Sequence, residues 1–136
     1  MLSENPGPES DAQPPFARLL DMFPGESADG VGTATMRIRD HHLQESGVVQ
    51  GGLIVTLVDY AFYRAVKSRL SPGERSVTVE LKVNFIAPAA NGELTATARV
   101  VSSGRHVVVV EGEVTDDRQV LIARGLSTYL VMQPRP

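Results

Sequence analysis

Hydrophobic positions recur along this chain at two distinct periods. The stretch from Gly47 to Leu70 reads GVVQGGLIVTLVDYAFYRAVKSRL and opens with a flexible glycine-rich turn, Gly47 to Gly52. Beyond it Ile54, Leu57, Val58, Ala61, Phe62, Ala65 and Val66 follow helical spacing. At about 100° per residue these side chains share one face, while Gly52, Thr56, Asp59, Tyr63 and Lys67 fall on the other. The pattern predicts a long, mostly apolar helix with a narrow polar stripe.

Elsewhere the period is two. In VGTATMRIRD, Val31 to Asp40, small or apolar Ala34, Met36 and Ile38 alternate with Thr33, Thr35, Arg37 and Arg39, which predicts a half-buried strand. Ser71, Pro72 and Gly73 mark a turn after the helix. From Ser76 to Pro88 the alternation is nearly faultless, with Val77, Val79, Leu81, Val83 and Phe85 on one face and Thr78, Glu80, Lys82 and Asn84 on the other. Three more strands follow, Gly92 to Gly104, Arg105 to Asp117 and Arg118 to Met132. Their connections at Ser103-Gly104 and Asp116-Asp117 are short enough for antiparallel hairpins. The run Val107 to Val110 is apolar on both faces, so it is expected to be covered twice, by the helix and by another subunit or layer.

At the N-terminus, residues 1–15 carry four prolines and no periodicity, which predicts a disordered or loosely attached tail. Pro15 to Phe23 then reads as a short amphipathic helix ending near Pro24 and Gly25, followed by a loop. The expected fold is therefore α+β: one domain over 16–136, an antiparallel sheet of about five strands around one dominant helix. Exposed strand edges predict self-association.

At 136 residues, 42% hydrophobic and 21% charged, the chain has an ordinary globular composition. Its net charge of −3 and lack of a basic run argue against a nucleic-acid partner. With no cysteine there is no disulfide, thiolate nucleophile or cysteine-bound metal. The first residues lack the charged and apolar regions of a secretory signal, and charges interrupt every long apolar run. No membrane partner and a cytoplasmic location are the resulting expectations.

Asp59 stands out because it lies about two turns inside the helix, where the N-terminal dipole gives it little and its helix propensity is poor. Two readings fit. It is a solvated or satisfied acid, or it is catalytic, working beside the Gly51 and Gly52 amides, which at a helix N-terminus can donate to an oxyanion. Other chemistry finds no motif. Neither Gly25 to Asp29 nor Gly125 to Tyr129 completes a G-x-S-x-G elbow, and Gly47 to Gly52 lacks a phosphate-loop ending. Adjacent His41 and His42 have no metal-ligand spacing, so no metal and no cofactor is expected.

The segments HLQESGVVQGGLIVTLVD (His42 to Asp59), VTVELKVNFIAPA (Val77 to Ala89) and GELTATARVV (Gly92 to Val101), with the Gly104-Arg105 turn, resemble the PaaI-like hotdog-fold acyl-CoA thioesterases. The resemblance spans roughly residues 16–132. It implies a sheet wrapped around a long helix, a homodimer commonly doubled to a homotetramer, and an active site between subunits. Residue by residue, it implies Asp59 as the helix acid, Gly51 as the oxyanion-hole glycine, Gln44 where Asn is usual, and Thr78 as the hydroxyl from the opposite subunit's following strand.

Two positions depart from the usual pattern: Gln50 stands where His usually precedes the paired glycines, and Gln44 replaces Asn. Gln keeps hydrogen-bonding ability but cannot become a cation at pH 7. Gln at the position of Gln44 also occurs in the related 4-hydroxybenzoyl-CoA thioesterases.

The activity implied is acyl-CoA hydrolysis. The Gly51 amide, with Gly52 beside it, would polarise the carbonyl; Asp59 would activate water or attack; Gln44 or Gln50 would orient water or carbonyl; and Thr78 would hold the carboxylate. Ser103, Gly104 and Arg105 would meet the phosphates of coenzyme A. Competing readings are a non-catalytic acyl-CoA binding module and a hotdog dehydratase or hydratase using His42. Tyr60, Phe62, Tyr63 and Phe85 either line an aryl pocket or are plain core.

Overall fold

Proline decides how the described chain begins. In the computed structural model, which describes residues 13–134, Pro15 opens helix α1 (Pro15–Leu20), where its missing N–H is no loss and its φ is already helical. The helix ends earlier than the spacing predicts. Asp21 turns left-handed (φ 58°), and its N–H bonds to the Ala17 carbonyl. The chain then enters a strand, β1 (Met22–Ala28), in a stretch expected to be helix end and loop. Pro24 hid it, since proline argues against a central strand but is accepted on an edge. β1 is an edge, bulged between Pro24 and Ser27. The tail expectation for 1–12 falls outside the described residues. Gln13, by contrast, is tied to the fold through its side-chain amide, which donates to the carbonyls of Ala17 and Met22.

The sheet thus has six strands, one more than the pattern predicts. After β2 (Val31–Arg37) and helix α2 (Gly51–Lys67) come β3 (Arg75–Phe85), β4 (Glu93–Ser103), β5 (Val107–Thr115) and β6 (Leu121–Met132). Their order is β1-β2-β4-β5-β6-β3 and every pairing is antiparallel.

Helix α2 lies in the concave face, against β2, β4 and β5 above all. All seven residues of its expected apolar face are buried, while the polar stripe is half-buried at Thr56, Asp59 and Lys67 and exposed at Gly52 and Tyr63. Small residues let the helix come close. A methyl group on Gly32 would strike the backbone N of Ala65 and come within 2.5 Å of the Ala61 carbonyl oxygen. Phe62 fills the space over Gly112 and Gly125. Fully buried, it contributes roughly 2–3 kcal/mol by area. It is core, not pocket lining, and so is Tyr60, whose ring packs edge-on against Phe16 at 5.2 Å.

Strand β3 departs from its alternation. A bulge between Thr78 and Glu80 shifts the register, so Thr78 pairs with Tyr129 while Val77 pairs with Leu130. Directly paired residues share a face, so the bulge brings Thr78 to the helix side and sends Val77 outward.

The outer face carries Val77, Leu130 and Val107 in one row across β3, β6 and β5, all exposed. Within one chain, then, only Val108 and Val110 of the Val107 to Val110 run are buried. Among the described residues, no helix is long and apolar enough to cross a membrane.

Candidate active site

Two segments meet at the start of α2. A 3-10 turn over Asp40–His42 leads into a small loop closed by a bridge between Leu43 and Val49. The Gln44 N–H donates to the Val48 carbonyl (2.9 Å) and the Gly47 N–H to the Gln44 carbonyl (2.9 Å), with Gly47 in the left-handed region (φ 82°) that favours glycine. The loop is therefore hydrogen-bonded, and only its first part is a turn, because Gly51 and Gly52 already belong to the helix.

Fully buried His42 anchors this loop. Its Nδ1 accepts the Arg39 N–H (2.9 Å), which leaves Nε2–H to donate to the Leu20 carbonyl (2.8 Å). Its own carbonyl accepts the Gln50 N–H at 2.9 Å. Both ring nitrogens are engaged, so His42 is unsuited to the proton-carrying role a dehydratase would give it. Asp21, His41 and His42 do bring ligand-type atoms within 4.8 Å of one another. With His42 occupied, the cluster offers a metal two donors, Asp21 and His41, which already pair with each other at 3.0 Å.

Gln50 is the N-cap of α2, its Oε1 accepting the Leu53 N–H at 3.2 Å. That turns its oxygen toward the helix end and leaves its NH2 available to a ligand. The Gln44 side chain is exposed. Gly51 occupies the first helical position, where backbone N–H groups have no partner within the helix. A methyl group built on Gly51 would lie 3.2 Å from the Phe85 ring, so this exposed ring stands beside the glycine.

Asp59 is half-buried, not in bulk solvent. Its Oδ1 lies 3.5 Å from the hydroxyl of Tyr129, whose register partner on β3 is Thr78. Burial pushes the Asp59 carboxyl above its ordinary value, and the Tyr129 hydrogen bond acts against this. Burial likewise raises the Tyr129 phenol, with the neighbouring Asp59 charge adding to the rise and Thr78 opposing it. Tyr129 is the residue that sequence reasoning missed. It sits in a strand of alternating character, and the pairing that aims it at the helix acid is long-range.

Ser103, Gly104 and Arg105 form the exposed β4–β5 turn, closed by the Gly104 N–H to the Val107 carbonyl at 2.8 Å. Strand register aligns Ser103, Val108, Tyr129 and Thr78 in one row across β4, β5, β6 and β3. Three strand spacings, about 14 Å, separate the turn from Thr78. Within one chain, however, Gly51 and Asp59 do not meet. Eight residues of helix set them about 12 Å apart.

Known proteins resemble this chain in sequence and fold. The family model described as the thioesterase superfamily matches residues 46–123. A Saccharolobus solfataricus protein provisionally named an esterase is 39% identical over 85 residues, 62% of this chain and 56% of that one, so the match spans a little over half of that relative. Human acyl-coenzyme A thioesterase 13 is 30% identical over 118 residues, covering 83% of this chain and 82% of that protein. Among solved structures, the Escherichia coli PaaI protein of the phenylacetic acid degradation operon superposes with a TM-score of 0.81 at 25% identity, covering 88% and 85% of the two chains. The chain belongs to the thioesterase superfamily and is a PaaI-like thioesterase of the hotdog fold.

Proposed function

We propose that this thioesterase hydrolyses acyl-coenzyme A substrates, aryl or medium-chain, at a site built from two copies of the chain, with Asp59 from one and Gly51 from the other. The observation that carries this reading is the helix itself: an acid held half-buried by Tyr129, and an open amide about 12 Å away, too far to serve the same carbonyl. A symmetric dimer supplies both groups to each of two equivalent sites. β3 is the element to join them, since among the described residues it ends the sheet, pairs only with β6 and exposes Val77 and Val79. The outward row of Val77, Leu130 and Val107 then offers a second contact that doubles the dimer to a tetramer.

In this mechanism the Gly51 amide, with Gly52 beside it, polarises the thioester carbonyl and stabilises the oxyanion. Asp59 either takes a proton from attacking water or adds to the carbonyl itself. Collapse expels coenzyme A thiolate, which takes up a proton; where water attacked, the acyl group leaves directly as a carboxylate, and where Asp59 attacked, the acyl group stays on it as an anhydride that water then hydrolyses, freeing the acid and restoring Asp59. The Gln44 carboxamide and the Gln50 NH2 are the groups that orient the substrate. Ser103, Gly104 and Arg105 contact phosphate. Tyr63 and Phe85, both exposed beside the site, face the acyl group. The test is free-thiol release from a panel of aryl- and acyl-CoA thioesters by the wild type and Asp59→Asn. Turnover lost with binding retained supports the reading; binding by the wild type without turnover of any thioester overturns it.

A further inference from the structure

The β3 bulge and the polar stripe of α2 converge on the phenolic oxygen of Tyr129. Tyr129 is 2% exposed, and its register partner on β3 is Thr78. A hydroxyl has one proton to give, and an ionised carboxylate only accepts. The direction of the chain is thereby set. Tyr129 donates to Asp59 Oδ1 at 3.5 Å, which leaves Tyr129 Oη able to accept from Thr78, its register partner on β3. Without the bulge Thr78 would share the outward face of Glu80, far from the helix acid.

We propose that Tyr129 is the positioning residue for Asp59 and that Thr78 acts on the acid through Tyr129. The inference rests on Asp59 being the reacting carboxylate. A half-buried carboxylate on a helix has freedom about two side-chain torsions, and a donor fixed in the sheet restricts them. The tyrosine suits the task because its ring is rigid and held in the core, so its oxygen stays in place while the site fills. The free-enzyme contact is long. Catalytic hydrogen bonds are often long before substrate binds and tighten once it excludes water. Among the described residues, the titratable group acting on this carboxylate is Tyr129 from β6, and Tyr129 in turn feels Tyr63, one turn further along α2. Thr78 from β3 brings no charge of its own.

The full-length protein is assayed as wild type, Tyr129→Phe, Thr78→Val and the double variant, across pH. Tyr129→Phe is expected to lower kcat by about 10- to 100-fold, the scale set by a misplaced reacting group, with KM little changed. The acid limb of kcat/KM moves to higher pH, because the bond that favoured the ionised carboxylate is gone. Thr78→Val gives a smaller change of the same kind, and Thr78→Ser restores wild-type behaviour. The double variant is no worse than Tyr129→Phe alone, since Thr78 then has no intermediary. An unmoved acid limb in folded Tyr129→Phe, or two losses that multiply in the double variant, overturns the proposal. Should buried Tyr129→Phe not fold, Thr78→Val at the exposed edge decides alone: its acid limb must move. Asp59→Asn separates the two readings. If it keeps the wild-type rate, the assignment of Asp59 fails and the relay with it; if it is inactive while Tyr129→Phe behaves as wild type, only the relay fails.

Discussion

Gly51 and Asp59 stand on one helix, two turns and more or about 12 Å apart, and the proposed site accordingly takes the amide from one copy and the acid from another. Inactive variants of each should therefore complement. Asp59→Asn and Gly51→Pro chains, mixed under conditions that exchange subunits, form mixed dimers in which one of two sites is intact. Random pairing then restores about a quarter of wild-type turnover. Measured activity no higher than the sum of the separate variants would place both groups in one chain's site.

Gly51→Pro is itself informative. Proline is tolerated at the first helical position, and Gln50 before it already has the extended backbone (φ −62°, ψ 132°) that proline demands. The substitution removes the N–H while keeping the helix. The Phe85 ring needs to shift by tenths of an ångström to admit the Cβ of the new residue. We expect kcat to fall by about 10²- to 10³-fold, the loss of one oxyanion donor, with circular dichroism unchanged.

Asp59 should cost the protein stability at neutral pH. Its carboxyl is raised above the ordinary value of 3.8 by burial. A group raised in the folded state contributes stability that is full below the unfolded value and lost as pH climbs through the folded one. Asp59→Asn removes that loss while keeping an oxygen for Tyr129. The variant should melt above the wild type at pH 7, and the gap should close near pH 3. Melting curves across this range give the sign directly.

The closeness of α2 to the sheet sets another expectation. Gly32→Ala would place a methyl group against the backbone of Ala61 and Ala65, which cannot move without displacing the helix that carries Asp59. Destabilisation of ~1–3 kcal/mol or more, with a loss of activity, should show in denaturant titration.

Charge on the outward row tests the larger assembly. Leu130→Lys places an ammonium between Val77 and Val107 on the face away from the helix. The mass in solution should halve from tetramer to dimer while thioesterase activity persists, as light scattering with a parallel assay would report.

Much of the fold was legible because period alone determines which face of an element is buried. The seven apolar positions of α2 and the alternation of Ala34 and Met36 with Thr33, Thr35 and Arg37 in β2 fell where burial requires. Gly51, Asp59 and the Ser103 to Arg105 turn were readable from local pattern together with family resemblance. β1 was not, because Pro24 breaks the local strand signal and only its place at the sheet edge makes it acceptable. Neither was the work of His42, whose imidazole bonds Arg39 nearby but also reaches Leu20 across the fold.

By itself the sequence determined the long helix, five of the six strands, and the places of the helix acid and the glycines before it, since these depend on spacing within one segment. The tertiary structure alone decided that Thr78 turns toward the helix and meets Tyr129 there, and that Gln50 caps the helix rather than standing free. The reason is physical. A one-residue bulge reverses every side chain beyond it, and the contact between Asp59 and Tyr129 joins residues brought together by strand pairing, which no local period encodes.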